Sequence, residues 1–152
     1  MISKHISLKE ATKSNTANRL GIENFPDNDT LIQMQALAEN IFEPLREHVG
    51  GPIYITSFYR SPELNKAIGG STRSQHCLGQ AIDIDDVLGN ATNKEMFEYI
   101  KDNLEFDQLI WEFGNNDSPN WVHVSYNTDN NRGNILKASK ENGKTKYTIW
   151  NQ

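Results

Sequence analysis

The five residues Ala81–Asp85, AIDID, alternate with the period of a β-strand. On such a strand Ile82 and Ile84 face one way, and Ala81, Asp83 and Asp85 face the other. A carboxylate on a strand flanked by isoleucines needs a partner, because a buried unpaired charge is costly. The fold must therefore bring a cation, or a basic neighbour, to Asp83.

The chain has four histidines: His5, His48, His76 and His123. His76 lies seven residues before Asp83, in SQHCLGQAIDID, and His123 lies in NWVHVSY. Alternation puts Trp121, His123 and Ser125 on one face and Val122 and Val124 on the other. Where that face adjoins the Asp83 face, two imidazoles and one carboxylate converge. Zinc suits three N and O ligands with a fourth position left for water, and its bound water becomes nucleophilic near neutral pH. Spacing alone leaves a second reading open: His76 and Asp83 as a hydrogen-bonded loop pair, with His123 a satisfied core histidine.

A length of 152 residues suits one domain, read as spanning 1–152. Fifteen basic against twenty acidic residues give a formal charge of −5, which argues against a nucleic-acid partner. The lone Cys77 excludes an internal disulfide framework. No apolar run approaches a membrane span, and MISKHISLKE has no apolar leader segment.

Ser7 with Glu10 predicts a short helix from Leu8, and residues 14–29 read as a long ordered loop. Thr30 is the expected cap of an amphipathic helix running through Met34, Leu37, Ile41 and Leu45 to Gly50, with a kink or break at Pro44. Ile53–Phe58 reads as a central strand, and Ser61-Pro62 starts a short helix. Thr92 with Glu95 caps another helix. Leu109–Phe113 and Trp121–Tyr126 read as strands, and Asn142-Gly143 marks a hairpin in the tail. The order favours α+β: a small antiparallel sheet with helices on one side.

The stretch TSFYRSPELNKAIGGSTRSQHCLGQAIDI, followed by LIWEFG and WVHVSY, resembles the zinc D-Ala-D-Ala carboxypeptidases and related peptidoglycan endopeptidases. These form metallopeptidase family fifteen, with the Hedgehog/DD-peptidase fold, and the likeness is to the short phage and prophage branch. The pattern S-x-H-x-x-G-x-A-x-D with a later W-x-H stands here as Ser74, His76, Gly79, Ala81, Asp83, Trp121 and His123. The resemblance implies Zn2+ held by His76, Asp83 and His123. It also implies that Arg60 holds a substrate carboxylate or carbonyl, a task its planar fork suits. Ser74 and Gln75 are candidates for substrate contact. Asn65 and Gly69-Gly70 fit the pattern and shape the turn into that loop. Cys77 reads as a packed residue beside a ligand, and His5 and His48 as surface residues.

Many relatives carry an acidic residue three positions before the second histidine; here that residue is Asn120. Asn cannot take a proton, so Glu112 becomes the first candidate for general base and Asp117 the reserve, with Asp85 a supporting group. The expected activity is hydrolysis of peptidoglycan stem peptides by a monomer with no nucleic-acid partner. The alternative, motivated by Asn120, is a weakly active or non-catalytic wall-binding or virion-associated module. Without a leader, the expectation is cytoplasmic synthesis followed by phage-type release or delivery to the wall.

Overall fold

The computed structural model describes residues 1–151. Helix α1 (Leu8–Ala11) starts at Ser7, whose hydroxyl accepts the Glu10 amide as the capping pair predicts. The expected loop over 14–29 instead contains α2 (Asn15–Leu20). Ser14 caps it by accepting the Ala17 amide, and Gly21 ends it in the left-handed conformation, so two local signals outweigh the polar composition. Helix α3 (Asn28–Leu37) is capped by Asp27 rather than Thr30; the Asp27 carboxylate accepts the Thr30 amide at 2.8 Å.

A π-helical turn, Ala38–Phe42, joins α3 to α4 (Glu43–Val49). Pro44 accounts for it. Proline has no amide to donate to the carbonyl four residues back and its ring crowds that carbonyl, so the wider turn carries the helix past it. The expected kink is thus a local change of helical pitch, and Gly50 closes the helix as predicted.

Strand β1 (Tyr54–Ser57) leads to α5 (Pro62–Ala67), capped by Ser61. A 3-10 turn, Gln75–Leu78, precedes β2 (Ala81–Asp85). Then come α6 (Asn93–Asn103), β3 (Gln108–Glu112), β4 (Trp121–Ser125), β5 (Asn134–Glu141) and β6 (Lys144–Ile149). Among the described residues the strands form one six-stranded sheet in the order β1-β2-β4-β3-β5-β6. The fold is α+β with a mostly antiparallel sheet, as expected. One pairing departs from that pattern: β5 runs parallel to β3. β1 is an edge strand rather than a central one. Beyond it the chain bonds outside the sheet, the Tyr59 amide donating to the Ala11 carbonyl.

The two faces of the sheet differ as strand alternation requires. Ile82, Ile84, Trp111, Val122 and Val124 join Met34, Leu37 and Ile41 of the α3–α4 helix and Phe97 and Ile100 of α6 in one buried core. The helices therefore cover that face. The side chains of Asp83, His123, Ile110 and Glu112 belong to the opposite face. Asp83 pairs with His123, and His123 with Ile110, in cross-strand register. The cleft lies on this uncovered side.

Gly79 links the 3-10 turn to the helical layer. Its φ is +71°, and a Cβ there would lie 2.7 Å from the Thr30 carbonyl oxygen and 2.7 Å from Met34 Cγ. Strain and crowding act together, so Gly79→Ala should lower unfolding free energy by about 2 kcal/mol in urea denaturation. An unchanged midpoint would contradict this packing.

Candidate metal centre

Asp83 brings the predicted residues together. Its Oδ1 lies 2.9 Å from His123 Nδ1, and its Oδ2 lies 3.2 Å from His76 Nε2. The two imidazoles meet edge to face with centroids 5.3 Å apart. One ligand atom from each of His76, Asp83 and His123 lies within 4.8 Å of the others, a spacing that could hold a metal ion.

Each side chain is aimed by local structure. Ser74 caps the 3-10 turn, its hydroxyl accepting the His76 amide at 3.3 Å. His76 is 2% exposed, and its Nδ1 donates to the Phe58 carbonyl at 2.7 Å. That bond fixes the tautomer: in neutral His76 the proton is on Nδ1 and the Nε2 lone pair faces Asp83. A lone pair against a carboxylate oxygen is repulsive. A proton on Nε2 or a cation between the groups removes the repulsion, so the donor set fits a divalent metal of zinc type. Burial alone would raise the Asp83 carboxyl, but His76 and His123 outweigh it and hold it well below the usual carboxylate range. Asp83 is therefore the anion that such a cation meets.

The surrounding cleft, about 690 Å³, is lined by Arg60, Ser74, Gln75 and Glu112 as well as the three central residues. Arg60 Nε is buried and has no hydrogen-bond partner among the described residues. Arg60 itself lines the cleft, where a guanidinium group suits a ligand oxygen. Glu112 is 6% exposed. Burial pushes its carboxyl up to about 7; the His123 charge opposes the rise and the Asp83 charge adds to it.

Other expected residues fall elsewhere. Asp117 is exposed in the turn between β3 and β4, where its amide bonds Asn115 Oδ1, and it does not line the cleft. Asn120 is exposed; its amide donates to the Glu112 carbonyl and its own carbonyl accepts from Asn93. Asp85 accepts from the Asp86 amide and from Asn93 Nδ2, away from the three central residues. Cys77 is half-buried and outside the metal-competent group. His5 and His48 are exposed, as expected. Asn65 is buried and donates to the Ser71 carbonyl, holding the loop that Gly70 enters.

Sequence reasoning missed the tether behind His76. Asp107 is 3% exposed and takes a forked pair from Arg132, Nε to Oδ1 at 3.0 Å and Nη2 to Oδ2 at 2.9 Å. Gln75 Nε2 donates to the same carboxylate at 3.0 Å. The residue before His76 is thus anchored to a charge pair between β3 and the loop after β4. The only signal in the sequence was an aspartate beside an apolar strand, Asp107 before Leu109, and the partner lies 25 positions away.

A two-histidine, one-carboxylate group in an open cleft, with a buried carboxyl nearby, is the equipment of a metal-dependent hydrolase. A family model, Peptidase M15, matches residues 4–125. The chain belongs to that family of metallopeptidases. The match spans Arg60, His76, Asp83, Glu112 and His123 and ends before the β5–β6 hairpin. Comparison with curated proteins finds no match.

Without a cation, Glu112 makes stability depend on pH. An ordinary glutamate ionises near 4.5 and this one near 7. Its stabilising contribution is full below the unfolded value and is lost as pH rises through the folded one, a difference of about 3 kcal/mol. In chelator-treated protein, Glu112→Gln should therefore raise unfolding free energy by up to ~3 kcal/mol at pH 8, and by little at pH 5. An equal gain at both pH values in urea denaturation would contradict the burial argument.

Proposed function

We propose that the chain is a zinc peptidase of bacterial cell-wall peptides, acting as one domain, with His76, Asp83 and His123 as ligands. The observation that carries the reading is the fixed His76 tautomer, whose free Nε2 faces the Asp83 carboxylate. Zinc bound there would supply Lewis acidity, polarising a peptide carbonyl and making a water acidic enough to attack near neutral pH.

The remaining roles belong to the protein's own side chains. Arg60, which lines the cleft, receives a carboxylate or carbonyl of the substrate in its planar fork. Ser74 and Gln75 border the same cleft and orient the peptide. Glu112 is the general base: it takes a proton from the attacking water and delivers it to the leaving amine. A carboxyl raised towards neutrality can do both, because neither protonation state is far away. Asn120 no longer weighs against catalysis in this reading, since it is exposed and Glu112 borders the cleft. A cation beside Asp83 lowers the Glu112 pKa, so the rate should rise with pH through an ionisation at or below about 7. D-amino-acid stem peptides, and with them action on the cell wall, follow from the resemblance of the motif.

Zinc-loaded protein should release a product from purified muropeptides, read by mass spectrometry, and a chelator should abolish it. Glu112→Gln should lower kcat by about 100-fold or more while zinc content stays at the wild-type level. Unchanged turnover in that variant would remove Glu112 from the role. Absence of any product from several wall chemistries, with zinc bound, would favour the wall-binding module.

A further inference from the structure

The cleft does not end at the metal-competent group. Cross-strand register carries its floor on to the tail of the chain. One row runs from Asp83 through His123 and Ile110 to Leu136. The next runs from Trp121 through Glu112 and Ala138 to Tyr147. Alternation puts Leu136, Ala138 and Lys140 of β5, and Thr145 and Tyr147 of β6, on the same face as Glu112. Four of these, Leu136, Lys140, Thr145 and Tyr147, line the cleft.

The rows have a physical reading. Ala138 is fully buried and small, and it stands between Glu112 and Tyr147. Tyr147 is 54% exposed and stands at the far side of the floor. Burial first, then the charges of Glu112 and Asp83, push its phenol above the usual value, so its hydroxyl remains a donor across the neutral range. Lys140 Nζ is held by Thr145 Oγ1 at 3.1 Å and sits 5.5 Å from the Phe113 ring centre. A positive charge is thereby stationed at the cleft's end in a protein whose net charge is −5.

Arg60 follows β1, at one edge of the sheet, and Tyr147 lies on β6, at the other. His76, Asp83 and His123 lie between them. We propose that the β5–β6 hairpin is a substrate-binding wall that takes the acyl-side segment of the peptide. Tyr147 contacts the backbone and apolar side chains, and Lys140 receives a carboxylate. The inference rests on the peptidase reading for its substrate class, but it concerns residues beyond those the family model matches. It implies that the enzyme distinguishes long acidic peptides from short ones. An extended peptide crossing the sheet from Arg60 to Lys140 has carboxylate receptors at both ends, with the metal-competent group and then Ile110 and Leu136 between them. The exposure of β6 along its whole length is explained by the same role, since a wall for a large ligand must stand clear of the core.

The probes are a synthetic stem pentapeptide with a free glutamyl carboxylate, its glutamyl-amidated form, and N-acetyl-D-Ala-D-Ala. Binding is measured by titration calorimetry on zinc-loaded protein carrying Glu112→Gln, and turnover on protein with Glu112 intact. Tyr147→Ala should weaken pentapeptide binding about tenfold, the usual scale for one aromatic anchor. It should also lower kcat/KM for the pentapeptide about tenfold more than for the dipeptide. Lys140→Met should weaken the acidic pentapeptide three- to fivefold and the amidated one by less than half that factor. Zinc content should match wild type in both variants. Equal losses on long and short substrates, or pentapeptide binding insensitive to both substitutions, would overturn the proposal. So would failure of the pentapeptide to bind the parent protein. Binding that needs Tyr147 without any turnover would overturn the peptidase reading and leave the wall standing.

Discussion

The contact on which the site depends is the meeting of one carboxylate with two imidazoles. Asp83 lies on a strand whose other face is core, so it cannot leave the sheet without moving Ile82 and Ile84. Its register partner is His123, and the 3-10 turn brings His76 to its other oxygen. His123 can donate from Nδ1 to the carboxylate, whereas the bare Nε2 of neutral His76 calls for a proton or a shared cation between it and Asp83. The folding problem and the chemical problem would thus share one solution, because a cation held there would satisfy Asp83 and would also make a bound water more acidic.

The supporting structure acts mainly on orientation. The Phe58 carbonyl sets the His76 tautomer, Ser74 caps its turn, and Gln75 is bound to the Asp107–Arg132 pair. Gly79 lets the turn pass close to α3, where a side chain would not fit. These contacts come from five separate stretches of chain, and all of them act on one ring. Such support keeps a ligand aimed when the ion is exchanged or when substrate enters. Glu112 is tuned differently: it makes no salt bridge among the described residues, and burial is the largest cause of its raised pKa.

What was legible in the sequence was local. Ser7-Glu10 and Thr92-Glu95 mark helix starts because the bonds they make span three residues. AIDID and WVHVS show their faces because strand alternation is a nearest-neighbour property. Asn142-Gly143 shows its turn because both residues take positive φ. The motif spacing marks His76, Asp83 and His123 as one group, and the fold brings them within reach of one another. The position of β1 at the edge, the parallel β3–β5 pairing and the Asp107–Arg132 pair were not legible, because each depends on partners far apart in the chain. The misread cap at Thr30 is instructive: Asp27, three residues earlier, competes for the same role and wins with its carboxylate.

The central claim is that His76, Asp83 and His123 hold one zinc ion. X-ray absorption at the zinc edge of the metal-loaded protein tests it most directly, since it reports the atoms around the ion whatever the activity. The account predicts one zinc per chain, a shell of nitrogen and oxygen with the outer scattering of two imidazoles, and no sulfur. It also predicts loss of that spectrum in Asp83→Ala. A sulfur neighbour, which only Cys77 or a methionine can supply, or a shell lacking imidazole, would contradict it.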